Sequence, residues 1–391
     1  MMKLDVAMIS ARGARRWQGG HPWIFKSDVV KRPAGPAGAV RVEDQAARPL
    51  GVALWSPQSE ISLRFVTRDG DAALDAAWWH ARIATAVARR APLIDEHTTA
   101  CRLVHGEGDA LPSLVVDRFD RWLVVQLLSA GLEAFRAPVA DALVALTGAE
   151  GILARHDVSA RAREGLPRAI EVLHGDVPET IEVREHGLRY LAAPHAGQKT
   201  GAFLDQREAR ALVGTVARGR ALDVFSYHGS FALHLARGAE SVIAVDASAA
   251  ALERAKENIA LNALANVQCV EADAFDYLRA EERAGSRYDT IVLDPPAFAK
   301  NRASVDAALR GYKDINLRAM RLLAPGGFLY TASCSYHVGR AAFLEMLEAA
   351  AADSGRRMII RATTGQPMDH PEVLTIPETG YLKGALLEAG D

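Results

Sequence analysis

ALDVFSYHGSFALHLA (221–236), SVIAVDAS (241–248), VEADAF (270–275), TIVLDPPAFAK (290–300) and PGGFLYTASCS (325–335) decide the fold. Each holds an apolar run of four to six residues that closes on a polar or glycine-bearing turn, and the gaps between them carry helical periodicity. That alternation predicts an α/β fold with a doubly wound sheet, whose ligand lies beyond the carboxyl ends of the strands. The polar residues at those ends are the candidates for chemistry.

Outward from this core, a chain of 391 residues has room for two or three domains. Residues 1–72 read as short strands broken by glycine and proline, AMISARGARRWQGGHPWIFKSDVV, AVRVED, PLGVALWSP and ISLRFVT, which predict a small β-barrel. The net charge of the whole chain is −2, yet its first 70 residues hold 11 Lys and Arg against 6 Asp and Glu. Trp23 stands among Arg12, Arg15, Arg16 and Lys26. Aromatic faces among cations suit looped or single-stranded RNA. The plainer reading of Trp23 and Phe25 is barrel core.

Residues 73–178 change character, with a helix DAALDAAWWHARIATAVARRAPL in which Trp78 and Trp79 are packing anchors. Three strands joined by the turns GEGD and DRFD follow, then a helix and the strand ILARHDV. This α+β connector shows no catalytic constellation. A strand pair, TIEVREHGLRYLAAP, opens the last domain, 179–391.

HAGQKTG resembles a phosphate loop only superficially, because the four-residue-spaced glycine pair is missing before Lys199 and Thr200. Phe203, Leu204, Asp205 and Gln206 instead lead into the first sheet strand and could form a lid or floor for a cofactor. After that strand only Gly229 sits in the turn SYHGS, too little for a dinucleotide pyrophosphate. S-adenosylmethionine, which carries no diphosphate, is the common ligand of such a turn. Asp246 ends the second strand, where a carboxylate can accept ribose hydroxyls, and Asp273 with Ala274 is placed to meet the adenine. The alternative for Asp246 is a cap on the helix Ser248–Leu261.

The fourth strand delivers Asp294 and two stiffening prolines, and the fifth delivers Cys334. In a doubly wound sheet these strands are neighbours, so Asp294 and Cys334 are expected side by side. Carbon 5 of a pyrimidine is a poor nucleophile until a thiolate adds at carbon 6, and cysteine suits that task. Phe298 could stack on a flipped base. The alternative for Cys334 is a small buried hydrophobe.

GHPWIF, GQKTGAFLDQR, LDVFSYHGSF, DPPAFAK, TASCS and HPEVLTIPETGYLKG together resemble the RlmI-type class I S-adenosylmethionine-dependent methyltransferases, which form 5-methylcytosine in large-subunit ribosomal RNA. The resemblance covers nearly the whole chain. It implies an RNA-binding PUA domain, an α/β connector and a Rossmann-like methyltransferase domain. It implies Cys334 as nucleophile, Asp294 beside the target base, and Asp223, Asp246 and Asp273 around the cofactor. With the turn residues, the candidate cofactor set is Lys199, Thr200, Phe203, Asp205, Asp223, Phe225, Tyr227, Gly229, Ser230, Asp246, Ala247, Ser248, Asp273, Ala274 and Asp294. Cytosine methyltransferases of the two-cysteine kind hold a second cysteine after the motif-four proline. Asp294-Pro295-Pro296 stands there in this chain, which makes Asp294 the candidate base.

Two other classes compete: methylation of an exocyclic amine of guanine or adenine, which needs no cysteine, and a non-catalytic protein that binds RNA and S-adenosylmethionine. A small-molecule methyltransferase would leave the basic first barrel unexplained. Three scattered cysteines and unclustered histidines give no disulfide framework and no metal spacing. With no secretion signal and no long apolar run, the expectation is a cytoplasmic protein without membrane contact. A homodimer stays open.

Overall fold

The computed structural model describes residues 4–197, 200–299 and 301–390. The chain forms two compact units: Met1–Val183 with Ala192–Leu204 and Met368–Thr379, and Arg184–Leu191 with Asp205–Pro367 and Gly380–Asp391.

In the first unit, β1 (Val6–Ile9), β2 (Trp23–Phe25), β3 (Val29–Lys31), β4 (Gly38–Glu43), β5 (Pro49–Trp55) and β6 (Ile61–Thr67) form one sheet, ordered β2-β6-β5-β4-β1-β3. The arginine-rich stretch after β1, read as strand from the sequence, is a helix, Ala11–Gln18. The Ser10 hydroxyl accepts the Gly13 amide, and Gly13, Ala14 and Trp17 share the buried face. Trp17 stacks on Phe65 with ring centroids 4.1 Å apart. The strand pleat places Ile24 in the core, while its neighbours Trp23 and Phe25 are half-buried, so the aromatics are not the barrel core.

A second sheet, β7 (Ala100–His105), β8 (Leu114–Phe119), β9 (Trp122–Leu127), β10 (Gly151–Arg155) and β11 (Ile170–Gly175), is ordered β11-β10-β9-β8-β7. Its core includes the fully buried Trp79 and is continuous with Val52, Leu54 and Val66 of the first sheet. DRFD is not a turn. Asp117 to Phe119 continue β8, and Phe119 pairs with Trp122 around a two-residue bend at Asp120 and Arg121. Asp117 points inward to a bidentate pair with Arg102, at 2.8 and 2.9 Å.

The late segment Met368–Thr379 is built into this unit. Asp369 accepts the Arg102 amide at 2.9 Å, and its carbonyl accepts the Arg90 guanidinium at 2.8 Å. His21 meets Glu378 at 3.0 Å.

A two-stranded hairpin, β12 (Ile181–Glu185) and β13 (Leu188–Ala192), precedes the main sheet of the second unit. That sheet comprises β14 (Arg220–Val224), β15 (Ser241–Asp246), β16 (Val267–Glu271), β17 (Tyr288–Leu293), β18 (Leu323–Ser333), β19 (Met358–Thr364) and β20 (Lys383–Ala389). The order is β16-β15-β14-β17-β18-β20-β19, with β20 antiparallel to both neighbours and the rest parallel. Both faces are apolar because both are covered. Ala221, Val292 and Tyr330 pack under helices Arg207–Val216 and Ser230–Ala236, while Leu222, Ile291 and Leu293 pack under Val305–Leu322 and Arg340–Ser354. Strand order reverses between β14 and β17, which opens a crevice at their carboxyl ends.

Candidate active site

The turn after β14 holds three left-handed residues in five: Phe225 (φ 67°), Tyr227 (φ 49°) and Gly229 (φ 77°). Two of them carry side chains, a conformation that persists only where the surroundings enforce it. The enforcement is visible. The Ser226 amide donates to the Val245 carbonyl at 3.0 Å, the Tyr227 amide to Asp246 Oδ2 at 2.8 Å, and Asn258 to the His228 carbonyl at 2.9 Å. At Gly229 a Cβ would lie 3.2 Å from that of Ala255, so the turn also needs glycine for space.

Asp246 takes the Tyr227 and Ser248 amides, one on each oxygen, and the helix cap is Ser248, whose hydroxyl accepts the Ala251 amide. Asp273 caps the next helix by accepting the Phe275 and Asp276 amides on one oxygen, Oδ1. Ala274, the first residue of that helix, is buried.

Asp223 is fully buried. Its Oδ2 accepts the Ala232 amide at 2.9 Å, while Oδ1 has no hydrogen-bond partner among the described residues. Burial pushes this carboxyl up to about 8; the Ala232 hydrogen bond opposes that, and the negative charges of Asp294 and Asp246 add to it. A buried acid with an unused oxygen at a ligand crevice is under-satisfied until something donates to it.

At the other side of the crevice, β17 and β18 run in register with Leu293 opposite Thr331, so Asp294 and Cys334 leave adjacent strands. Asp294 Oδ1 accepts the Gln206 amide group at 2.7 Å, and Gln206 is itself reached by the Tyr330 hydroxyl at 3.3 Å. Cys334 is half-buried, with Sγ 4.0 Å from the Pro295 carbonyl. Phe298 packs its ring against Tyr312, with centroids 4.6 Å apart, and nears Phe225 and Phe275.

The remaining candidates are dispersed. Asp205 accepts the Tyr381 hydroxyl at 2.7 Å. Thr200 and Phe203 belong to the first unit, where the buried Thr200 hydroxyl donates to Asp117 at 2.6 Å. Lys199 lies outside the described residues. Arg12, Arg15 and Arg16 share one helix, at spacings that align them on a single face. Arg12 pairs with Asp28 at 2.8 Å, Arg16 lies over the Phe25 ring at 4.6 Å, Lys26 is exposed, and the Trp23 indole donates to Glu107 at 2.8 Å.

A seven-stranded sheet with one antiparallel strand near its edge and an acid-lined switch point defines a class I methyltransferase domain. Comparison with known proteins agrees: a family described as S-adenosylmethionine-dependent methyltransferase matches residues 101–382, and a PUA-like domain matches residues 8–68. "Ribosomal RNA large subunit methyltransferase I" of Shewanella amazonensis is 41% identical over 372 residues, covering 93% of this chain and 94% of that protein. The protein of the same name from Aeromonas salmonicida is 39% identical over 377 residues, covering 94% and 95%. A SAM-dependent methyltransferase from Streptococcus mutans shares the fold, with a TM-score of 0.83 at 20% identity over 98% of this chain and 100% of that one. A methyltransferase solved as its complex with SAH superposes with a TM-score of 0.85, also at 20% identity, over the same shares of the two chains. The chain belongs to the S-adenosylmethionine-dependent methyltransferase family, among the relatives named ribosomal RNA large subunit methyltransferase I.

S-adenosylmethionine is accordingly its methyl donor. The residues present fit it: the orphaned Asp223 oxygen suits a hydrogen-bond donor or a cation, and the constrained turn of Phe225 to Gly229 offers backbone at close range.

Sequence reasoning missed Gln206 as the partner of Asp294, and assigned no role to Tyr312, Tyr330, Ser335 or Lys383. The stretches GYLKG and DQR were the available signal for Lys383 and Gln206.

Proposed function

We propose that this enzyme forms 5-methylcytosine in large-subunit ribosomal RNA, with Cys334 as nucleophile and Asp294 as the base. The names of the relatives support the RNA, and the exits of β17 and β18 support the chemistry. The observation that carries the reading is a half-buried thiol on the strand next to a carboxylate held by Gln206. The Cys334 thiolate adds to carbon 6 of the ring, which leaves carbon 5 electron-rich. When bound, S-adenosylmethionine supplies an electrophilic methyl on a sulfonium. Asp294 then takes the carbon 5 proton, and the released electron pair restores the ring double bond as the thiolate leaves carbon 6.

The cofactor set of the sequence reading is proposed with Asp223, Asp246 and the Phe225–Gly229 turn at its centre. The basic face of Arg12, Arg15 and Arg16 with Lys26 is proposed to hold RNA phosphates. The proposal includes domains 1–72, 73–178 and 179–391 and a cytoplasmic location, where ribosomal RNA is met. No helix among the described residues is long and apolar enough to cross a membrane.

Cys334→Ala tests it, assayed by bisulfite sequencing and nucleoside mass mapping of ribosomal RNA from cells lacking the gene. Loss of 5-methylcytosine is expected. Retained methylation, or a methylated exocyclic amine as product, would overturn the covalent route.

A further inference from the structure

Lys383 opens β20 opposite Ser333 of β18, one residue short of Cys334, and is only 6% exposed. A buried ammonium is expensive unless its donors are used. Two of those of Lys383 go to the Ser335 carbonyl at 2.6 Å and the Tyr381 carbonyl at 2.9 Å. Ser335 is tied at two further points. Its hydroxyl accepts the Ala299 amide at 3.1 Å and meets the Tyr312 hydroxyl at 2.9 Å. The residue after the thiol is thus bolted to the β17 exit, to helix Val305–Leu322 and to the β20 entry, although Cys334 itself stays half-buried.

We propose that Lys383 is a positioning residue for Cys334: its ammonium fixes the backbone that carries the thiol and, as a buried cation held on the carbonyl of the next residue, favours the thiolate. The chemistry of the site needs both effects. A nucleophile that attacks a ring carbon must be held still, and only its ionised form attacks. The titratable and charged groups around the thiol come from every element packed there. They are Asp294 from the β17 exit, Tyr312 from the helix Val305–Leu322, Tyr330 from β18, Tyr336 and His337 from its own segment, Tyr381 and Lys383 from the β20 entry, and Arg210 and His234 from the two helices over the apolar cluster that Cys334 joins. A carboxylate on the neighbouring strand exit would disfavour a thiolate, and a nearby buried cation is the charge that offsets it. The proton lost on ionisation passes to solvent water.

The inference takes its meaning from the reading of Cys334 as nucleophile, but its test needs neither RNA nor methyl donor. The full-length protein is alkylated with iodoacetamide between pH 6 and 10, and the Cys334 peptide is quantified by mass spectrometry. Cys269, whose thiol burial pushes up, serves as an internal control in the same digest. Lys383→Met should raise the Cys334 midpoint by about one pH unit, a roughly tenfold slower reaction below the midpoint, and leave Cys269 unmoved. Lys383→Arg should recover most of the shift. Coincident Cys334 midpoints in wild type and Lys383→Met would overturn the proposal. Should Lys383→Met fail to fold, the wild-type midpoint decides: a value below the ordinary thiol figure of about 8.5 supports the assignment, and one at or above it overturns it. A Cys334→Ala enzyme that still methylates RNA would sink the proposed function and leave this result standing.

Discussion

Two buried carboxylates, one in each unit, are treated in opposite ways. Asp109 in the first unit is saturated: Arg90 grips it through two hydrogen bonds at 2.6 and 2.8 Å, Arg89 adds a third at 3.1 Å, and the His105 amide a fourth at 2.7 Å. Asp223 in the second receives, among the described residues, a single amide hydrogen and leaves an oxygen bare. Burial alone therefore does not mark a functional acid. Unmet hydrogen-bonding capacity is what separates these two acids, and it is what the carboxylate proposed to receive a ligand would need.

The most severe way to break this contrast is Arg90→Met, which strips Asp109 of its principal partner inside a closed interior. Removal of one member of such a pair costs about 3–5 kcal/mol. Denaturant unfolding should show the loss as a lower midpoint at unchanged slope.

Asp223→Asn should act in the reverse sense. Its carboxyl stands at about 8 in the folded chain against an ordinary value of 3.8, so the native state binds that proton more tightly than the unfolded chain. Stability therefore declines as pH rises from about 4 to about 8. Asparagine cannot ionise, so the variant should melt above wild type at pH 8.5, with the gap closing toward pH 4. Calorimetric titration should show S-adenosylmethionine binding weakened by about 10- to 100-fold, as expected when a buried hydrogen-bond partner of the ligand is replaced. A variant that gains no stability at high pH, or that binds the donor undiminished, would collapse the distinction between the two acids.

The smallest effect belongs to charges that are neither buried nor saturated. Arg15 and Lys26 are exposed, and Arg15→Ala with Lys26→Ala should leave the melting curve close to wild type. The logarithmic salt dependence of RNA binding should become shallower by about one for each phosphate that is no longer neutralised. An unchanged slope would remove this face from the RNA interface.

Strands β14 to β18 were legible because each announces itself twice, by an apolar run and by the residue that ends it, whereas β19 and β20 went unread. Asp246 and Asp294 could be placed at strand ends on those grounds. The helix Ala11–Gln18 was hidden because a run of arginines and glycines carries little apolar signal, and only Ala14 and Trp17, behind the Ser10 cap, mark its inner face. The Asp117 turn failed for a related reason: an acid in a strand looks like a bend until its partner, Arg102 on the neighbouring strand, is known. Ser335 and Lys383 escaped entirely, and Gln206 was read only as part of a lid or floor. Their meaning lies in partners as far as 124 residues away, as for Gln206 and Tyr330, and no local spacing encodes such a pairing.

The loan of Met368–Thr379 to the first unit has a consequence for biosynthesis. Roughly 185 residues separate Val183 from Asp369, the acceptor of the Arg102 amide. At translation speeds of ~5–20 residues per second the amino-terminal half waits roughly ten to forty seconds for that acceptor to emerge from the ribosome. The part of the chain made first is thus completed only near the end of synthesis, and a nascent polypeptide stalled before Met368 would carry an unfinished amino-terminal half.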